Sequence, residues 1–202
     1  LIERSNLKAA SGPTLATFHF YLNYSKPPFD KKEVRLALCH AVNREAFNEL
    51  TMNGLGVPTV QTLPETHWAY NPELEGTYKY DPEYSIKLLE EAGYPDGVDV
   101  EMFIPNTQAF QQKGEVLVEQ FKKAKINLIL RSVPTNELGA KFMGERLGNA
   151  ALSIYSGRTD PSQFFSIMFD PESFINASRE WGAPELEQAM AECRSNLDLE
   201  AR

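Results

Sequence analysis

No stretch of this 202-residue chain is apolar over the length that a membrane-spanning helix needs, so a helical membrane span is excluded. Cysteine is scarce: Cys39 and Cys193 are the only two, and their separation forms neither a CxxC redox pair nor a zinc-ligand spacing. Both fall in helical patterns and read as free, half-buried thiols, with a disulfide as the alternative; they leave the redox compartment open. Histidine is as rare, with His19, His40 and His67 alone, and none stands in a motif that supplies a catalytic base or a metal ligand. Positive charge is also in short supply, with 20 Lys plus Arg against 28 Asp plus Glu for a net charge of -8, which disfavours nucleic acid as a partner. Gly54-Leu55-Gly56 runs straight into Val57-Pro58, so no phosphate cradle leads into a helix. No metal or cofactor is expected.

What the chain does contain is an alternation of two periods. Thr14 to Tyr24 reads as a strand, with Ala16, Phe18, Phe20 and Leu22 on one face and Thr17, His19, Tyr21 and Asn23 on the other. Pro27-Pro28 stops it, and Asp30 with Glu33 forms a capping-box signature for a helix carrying Val34, Ala37, Leu38 and Ala41. Asn43 caps a further short helix that runs to Asn53-Gly54. Residues 54–80 have no sustained period and read as a long ordered loop pinned by Trp68 and Tyr70.

Asp81-Pro82 opens the next helix, and Gly93 followed by Pro95 stops it. Val98 to Ile104 and Ile126 to Val133 read as strands, with a helix marked by Phe110, Gly114, Leu117 and Phe121 between them. A short helix around Leu138 and Phe142 precedes a fourth strand, Ala150 to Tyr155. This β-α-β-α-β order predicts one α/β domain over residues 1–202, with a mainly parallel or mixed sheet covered by helices. Ser5-Asn6-Leu7-Lys8 matches a bare S-x-x-K pattern and carries little weight alone.

Ligands of such sheets bind at the carboxyl ends of strands, which singles out two loops: Pro105 to Ala109, holding Asn106, Thr107 and Gln108, and Ser156 to Thr159. The second lies in Tyr155-Ser156-Gly157-Arg158-Thr159-Asp160-Pro161. Helix-start chemistry accounts for Asp160 and Pro161, because a short carboxylate accepts orphan backbone N–H groups and proline suits the first helical position. It does not account for Arg158. A guanidinium beside glycine at a strand end can take a ligand carboxylate bidentately, or it can face solvent or pair with Asp160 and stiffen the turn. The residues leave both readings open.

Three stretches carry a resemblance. The first runs from Leu22-Asn23-Tyr24 through Pro27-Pro28-Phe29-Asp30 and Val34-Arg35-Leu36-Ala37-Leu38 to Ala41-Val42-Asn43-Arg44-Glu45. The second joins Tyr80-Asp81-Pro82-Glu83 to Leu88-Leu89-Glu90-Glu91-Ala92-Gly93-Tyr94-Pro95-Asp96-Gly97, and the third is Asp160-Pro161 with Phe164-Phe165. Together they resemble the peptide, dipeptide and nickel family of solute-binding proteins that serve ATP-driven importers.

The resemblance implies a single lobe of a type II periplasmic-binding-protein-like fold, the distal one of a two-lobed receptor. It further implies a monomer in the periplasm or at the cell surface, with a membrane permease of the ABC type as partner and a peptide-like or small anionic solute as ligand. Leu1 without a methionine, and Arg202 inside a helical repeat of Leu186, Met190, Cys193 and Leu197, are read as the ends of an excised piece. Peptide-binding members resemble Trp-x-x-Asp-x-x-Asp-Pro after this fourth strand, their first Asp holding the ligand's amino group. Here Tyr155 stands for that Trp and Arg158 for that Asp, so the implied charge is inverted and an anionic or amine-blocked ligand is expected. The expected ligand contacts are Tyr155, Ser156, Gly157, Arg158, Asn106, Thr107 and Gln108, with no catalytic residue. The rival classes are a hydrolase domain and a ligand-sensing module of a cytoplasmic regulator.

Overall fold

The structure, a computed structural model, describes residues 12, 14–196 and 198. Ser5-Asn6-Leu7-Lys8, Leu197 and the two chain ends lie outside the described residues. The sheet has four strands, β1 (Ala16–Leu22), β2 (Val98–Pro105), β3 (Ile126–Val133) and β4 (Ala150–Ser156). Their spatial order is β1-β4-β2-β3. β2 pairs in parallel with both β3 and β4, while β1 runs antiparallel to β4, so the sheet is mixed. The strands alternate with helices α1 (Lys32–Ala41), α2 (Arg44–Met52), α3 (Pro82–Glu91), α4 (Gln108–Lys122), α5 (Thr135–Leu138), α6 (Pro161–Phe169) and α7 (Pro184–Ser195). A 3-10 turn, Pro72–Leu74, and a π-helical turn, Gly139–Gly144, complete the described elements.

Side chains leave a strand on alternate faces, and here both faces are covered. On one face Val100, Met102 and Ile104 of β2 join Phe121 and Leu117 of α4 and Val34, Ala37 and Leu38 of α1. On the other, Phe103 and Ala151 meet Leu138, Phe142 and Met143. Complete burial of rings such as Phe121 and Phe142 contributes roughly 1.5–3 kcal/mol each. Two-sided burial explains why the second half of β2, Met102-Phe103-Ile104, is continuously apolar, whereas the first half alternates with Asp99 and Glu101.

The local start signals hold in most places. Asn43 Oδ1 accepts from Ala46 N at 2.8 Å, and Asp81 Oδ1 accepts from Tyr84 N at 2.8 Å. The capping box at Asp30 does not form: α1 begins at Lys32, and its N-cap, Lys31, makes no side-chain cap bond. Phe29 is fully buried, and Arg35 Nη1 donates to the Phe29 carbonyl at 2.6 Å, so the turn closes around Phe29 and leaves Asp30 exposed. Gly97 is required where the chain enters β2: its φ is +99, and a Cβ there would stand 2.3 Å from the Lys125 carbonyl oxygen. Neither cysteine forms a disulfide, and both are half-buried.

Candidate strand-end binding site

The parallel strands β2, β3 and β4 all end at one rim of the sheet, and β1 starts there. Both loops singled out in the sequence lie on this rim, each shorter than expected. Ser156 is the last residue of β4, paired with Ala16, and Gln108 is the first residue of α4, so the connections are Gly157 to Thr159 and Asn106-Thr107. A helix can start this early because Asn106 N donates to the Val133 carbonyl at 2.8 Å, tying the end of β2 to β3.

The two loops do not stand level. Met102 is opposite Ala150 and Phe103 opposite Ala151, which puts Pro105 beside Ser153 and leaves Ile154, Tyr155 and Ser156 beyond the end of β2. At about 3.3 Å per residue the Arg158 loop is carried roughly 10 Å farther out. Asn106, Thr107 and Gln108 are exposed, and their side chains have no hydrogen-bond partner among the described residues.

Within the outer loop the residues divide by direction. Tyr155 turns inward: its ring meets Phe164 edge-on at 5.3 Å and His19 at 6.2 Å, and its buried hydroxyl has no partner among the described residues. It therefore shapes the rim through packing beneath α6. Ser156 and Arg158 are exposed, and Arg158 has no hydrogen-bond or ion-pair partner among the described residues. Gly157 is small for a structural reason, since its N–H donates to the Leu15 carbonyl at 2.7 Å and a Cβ would lie 2.9 Å from that same oxygen. Asp160 Oδ1 accepts from Ser162 N at 2.9 Å, which is the expected N-cap of α6.

Sequence reasoning named Trp68 as a pin of the long loop but placed none of three further residues at this rim. His67 Nε2 and Trp68 Nε1 both donate to the Thr159 carbonyl, each at 3.1 Å, while Ala69 N–H donates to His67 Nδ1 at 3.1 Å and so selects the ring tautomer. The long loop is thereby pinned to the rim, with Trp68 stacked on His67 and still 45% exposed. The third is Arg194 of α7, which shares with Arg158 a groove of about 500 Å³ along α6. An exposed tryptophan in a polar loop was the only signal for the first two, and Arg194 had none.

His19 lies in the aromatic cluster under α6, and burial lowers its pKa from the ordinary 6.5 to about 4, so the ring is neutral near pH 7. His40 Nδ1 contacts the Lys79 carbonyl at 2.8 Å and has a structural role. Among the described residues no group of His, Cys, Asp and Glu is placed to hold a metal ion. The arrangement is a polar rim on which the Arg158 guanidinium is unpaired among the described residues.

The profile of the bacterial extracellular solute-binding proteins, family 5 Middle, matches residues 1–176. The chain is 30% identical over 179 residues to a dipeptide-binding protein of Pseudomonas aeruginosa, covering 86% of this chain and 33% of that protein. It is 38% identical over 104 residues to heme-binding protein A of Haemophilus influenzae, covering 52% of this chain and 17% of that protein. The periplasmic binding protein DppA from Helicobacter pylori, solved in complex with peptide STSA, superposes with a TM-score of 0.82 at 22% identity, over 93% of this chain and 37% of that one. The chain thus spans about a third or less of the length of these relatives.

Proposed function

Because this chain belongs to the bacterial extracellular solute-binding proteins of family 5, we propose that it is one lobe, the distal one, of the substrate-binding component of an ABC importer. The working protein captures a peptide-like or anionic small solute between two lobes and delivers it to a membrane permease. It does no chemistry on the solute and acts outside the cytoplasm as a monomer.

One observation carries the ligand class: Arg158, at the carboxyl end of a parallel strand, is exposed and has no partner among the described residues. The lack of a partner sets aside the pairing with Asp160, and the place of Arg158 beside Gly157 at a strand end, where ligands of such sheets bind, favours a ligand contact over a solvated turn. A site with a guanidinium at this position repels the free amino group of a peptide and favours a carboxylate or an amine-blocked compound. Asn106, Thr107, Gln108 and Ser156 supply further hydrogen-bonding groups along the same rim, and the half-buried Tyr155, packed on Phe164, supports it from below.

Purifying the full-length protein and releasing its bound solute for mass spectrometry tests the reading. A small anionic or peptide-like compound, with scattering that contracts when the compound is added back, is the expected result. Turnover of peptide or ester substrates by the same preparation would favour a hydrolase instead.

A further inference from the structure

The groove along α6 is lined by Arg158, Ser162, Gln163, Ser166, Ile167 and Arg194. Two guanidiniums face it and no carboxylate lines it, in a chain that has 28 acidic residues against 20 basic ones. Charge on such a surface is ordinarily interleaved, so two arginines together without an acid between them make a local positive site on an acidic protein.

The two arginines are prepared differently. Arg194 is braced: its Nε and Nη2 donate to Ser166 Oγ at 3.2 and 2.6 Å, and Nη2 lies 3.3 Å from Asp170 Oδ2. Ser166 holds its own place by donating to the Ser162 carbonyl at 2.6 Å. This leaves Nη1 of Arg194 without a partner among the described residues, on a guanidinium whose orientation is already set. Arg158 keeps all its donors and rides on the loop that His67 and Trp68 hold through the Thr159 carbonyl. Ser162 is only 7% exposed, its side chain has no partner among the described residues, and it lines the groove between them. The nearby carboxylates are both engaged, Asp160 with Ser162 N and Asp170 with Arg194 and Glu172 N.

We propose that Arg158, Arg194 and the Ser162 side chain form one oxyanion-binding groove, in which the anionic group of the solute sits between two guanidiniums. The ligand chemistry is a carboxylate or phosphate oxyanion, and a dianion fits two cations better than a single charge does. The inference rests on the reading of Arg158 as the anion contact and adds Arg194 as the second, pre-oriented one. Asp170 is the resident competitor: it takes one edge of Arg194 and keeps the empty groove from being doubly positive.

Titration calorimetry on the full-length protein, with succinate, inorganic phosphate and neutral succinamide as probes, tests this. Wild type binds succinate or phosphate and not succinamide, and whichever anion binds more tightly names the source of the oxyanion. Arg158→Ala and Arg194→Ala each weaken that binding by about tenfold or more, and Arg194→Lys restores part of it. Asp170→Asn strengthens it severalfold, a change of sign that a purely structural role for the Arg194 pair does not produce. Weakening by Arg158→Ala alone overturns the shared groove and leaves Arg158 as the anion contact. Failure of both anions to bind wild type, or binding that neither arginine variant alters, overturns the groove outright, whereas the released solute separately decides the transport reading.

Discussion

Trp68 Nε1 donates to the carbonyl of Thr159 at 3.1 Å across 91 positions of sequence. With His67 on the same oxygen, this bond makes the rim loop beside Arg158 a tethered element rather than a loose one. Trp68→Phe keeps the ring and removes the donor, so the expected loss of stability is small, about 1 kcal/mol or less at this exposed position. The larger effect falls on order: the amides of Arg158 and Thr159 exchange faster with solvent, and solute affinity drops severalfold. Unchanged exchange at those amides would show that His67 alone suffices.

Asp160 is expected to matter for folding more than for binding. Asp160→Ala removes the N-cap of α6 and lowers stability by about 0.5–2 kcal/mol, whereas Asp160→Asn, an equally good cap, retains most of it. Thermal melts of the two variants check this. A melting temperature unaffected by Asp160→Ala, together with lost solute binding, would reassign the carboxylate to the ligand.

His19 gives the fold a pH dependence of known sign. Its folded-state pKa of about 4 lies below the ordinary 6.5, because burial penalises the charged ring. Above pH 6.5 both folded and unfolded states hold a neutral ring and the stability is fully present. As pH falls from 6.5 toward 4 only the unfolded chain takes up the proton, so stability is lost, by up to about 3 kcal/mol. His19→Gln removes this contribution, and denaturant unfolding of both proteins at pH 7 and pH 4.5 isolates it from carboxylate titration. Equal pH slopes for the two proteins would mean that His19 is hydrated in solution.

Arg158→Ala in the full-length protein is expected to weaken binding of its own solute by about ten- to a hundredfold, the worth of a charge-assisted bidentate contact in a closed cleft. Lysine recovers part of the loss, since it keeps the charge without the planar fork, and Asp is worse than Ala through repulsion. Calorimetry with the solute identified by mass spectrometry is the measurement. Equal affinity for wild type and Arg158→Ala would return the residue to a solvated turn and leave the ligand's charge undetermined.

The sequence by itself determined the elements and most of their ends, because these rest on interactions between residues a few positions apart. Asn43, Asp81 and Asp160 cap helices through atoms two or three residues away, and β3 spans Ile126–Val133 as its apolar pattern predicts. The Asp30 capping box failed because a distant demand, the burial of Phe29 in the core, outweighed a local one. Only the tertiary structure decided how the rim is assembled. It turned Tyr155 inward against His19 and Phe164, brought His67 and Trp68 onto Thr159, and set Arg194 beside Arg158 along α6. Those meetings join segments from separate parts of the chain, and no local periodicity encodes which loop packs on which strand end. The order β1-β4-β2-β3 settles that, through helices covering both faces of the sheet.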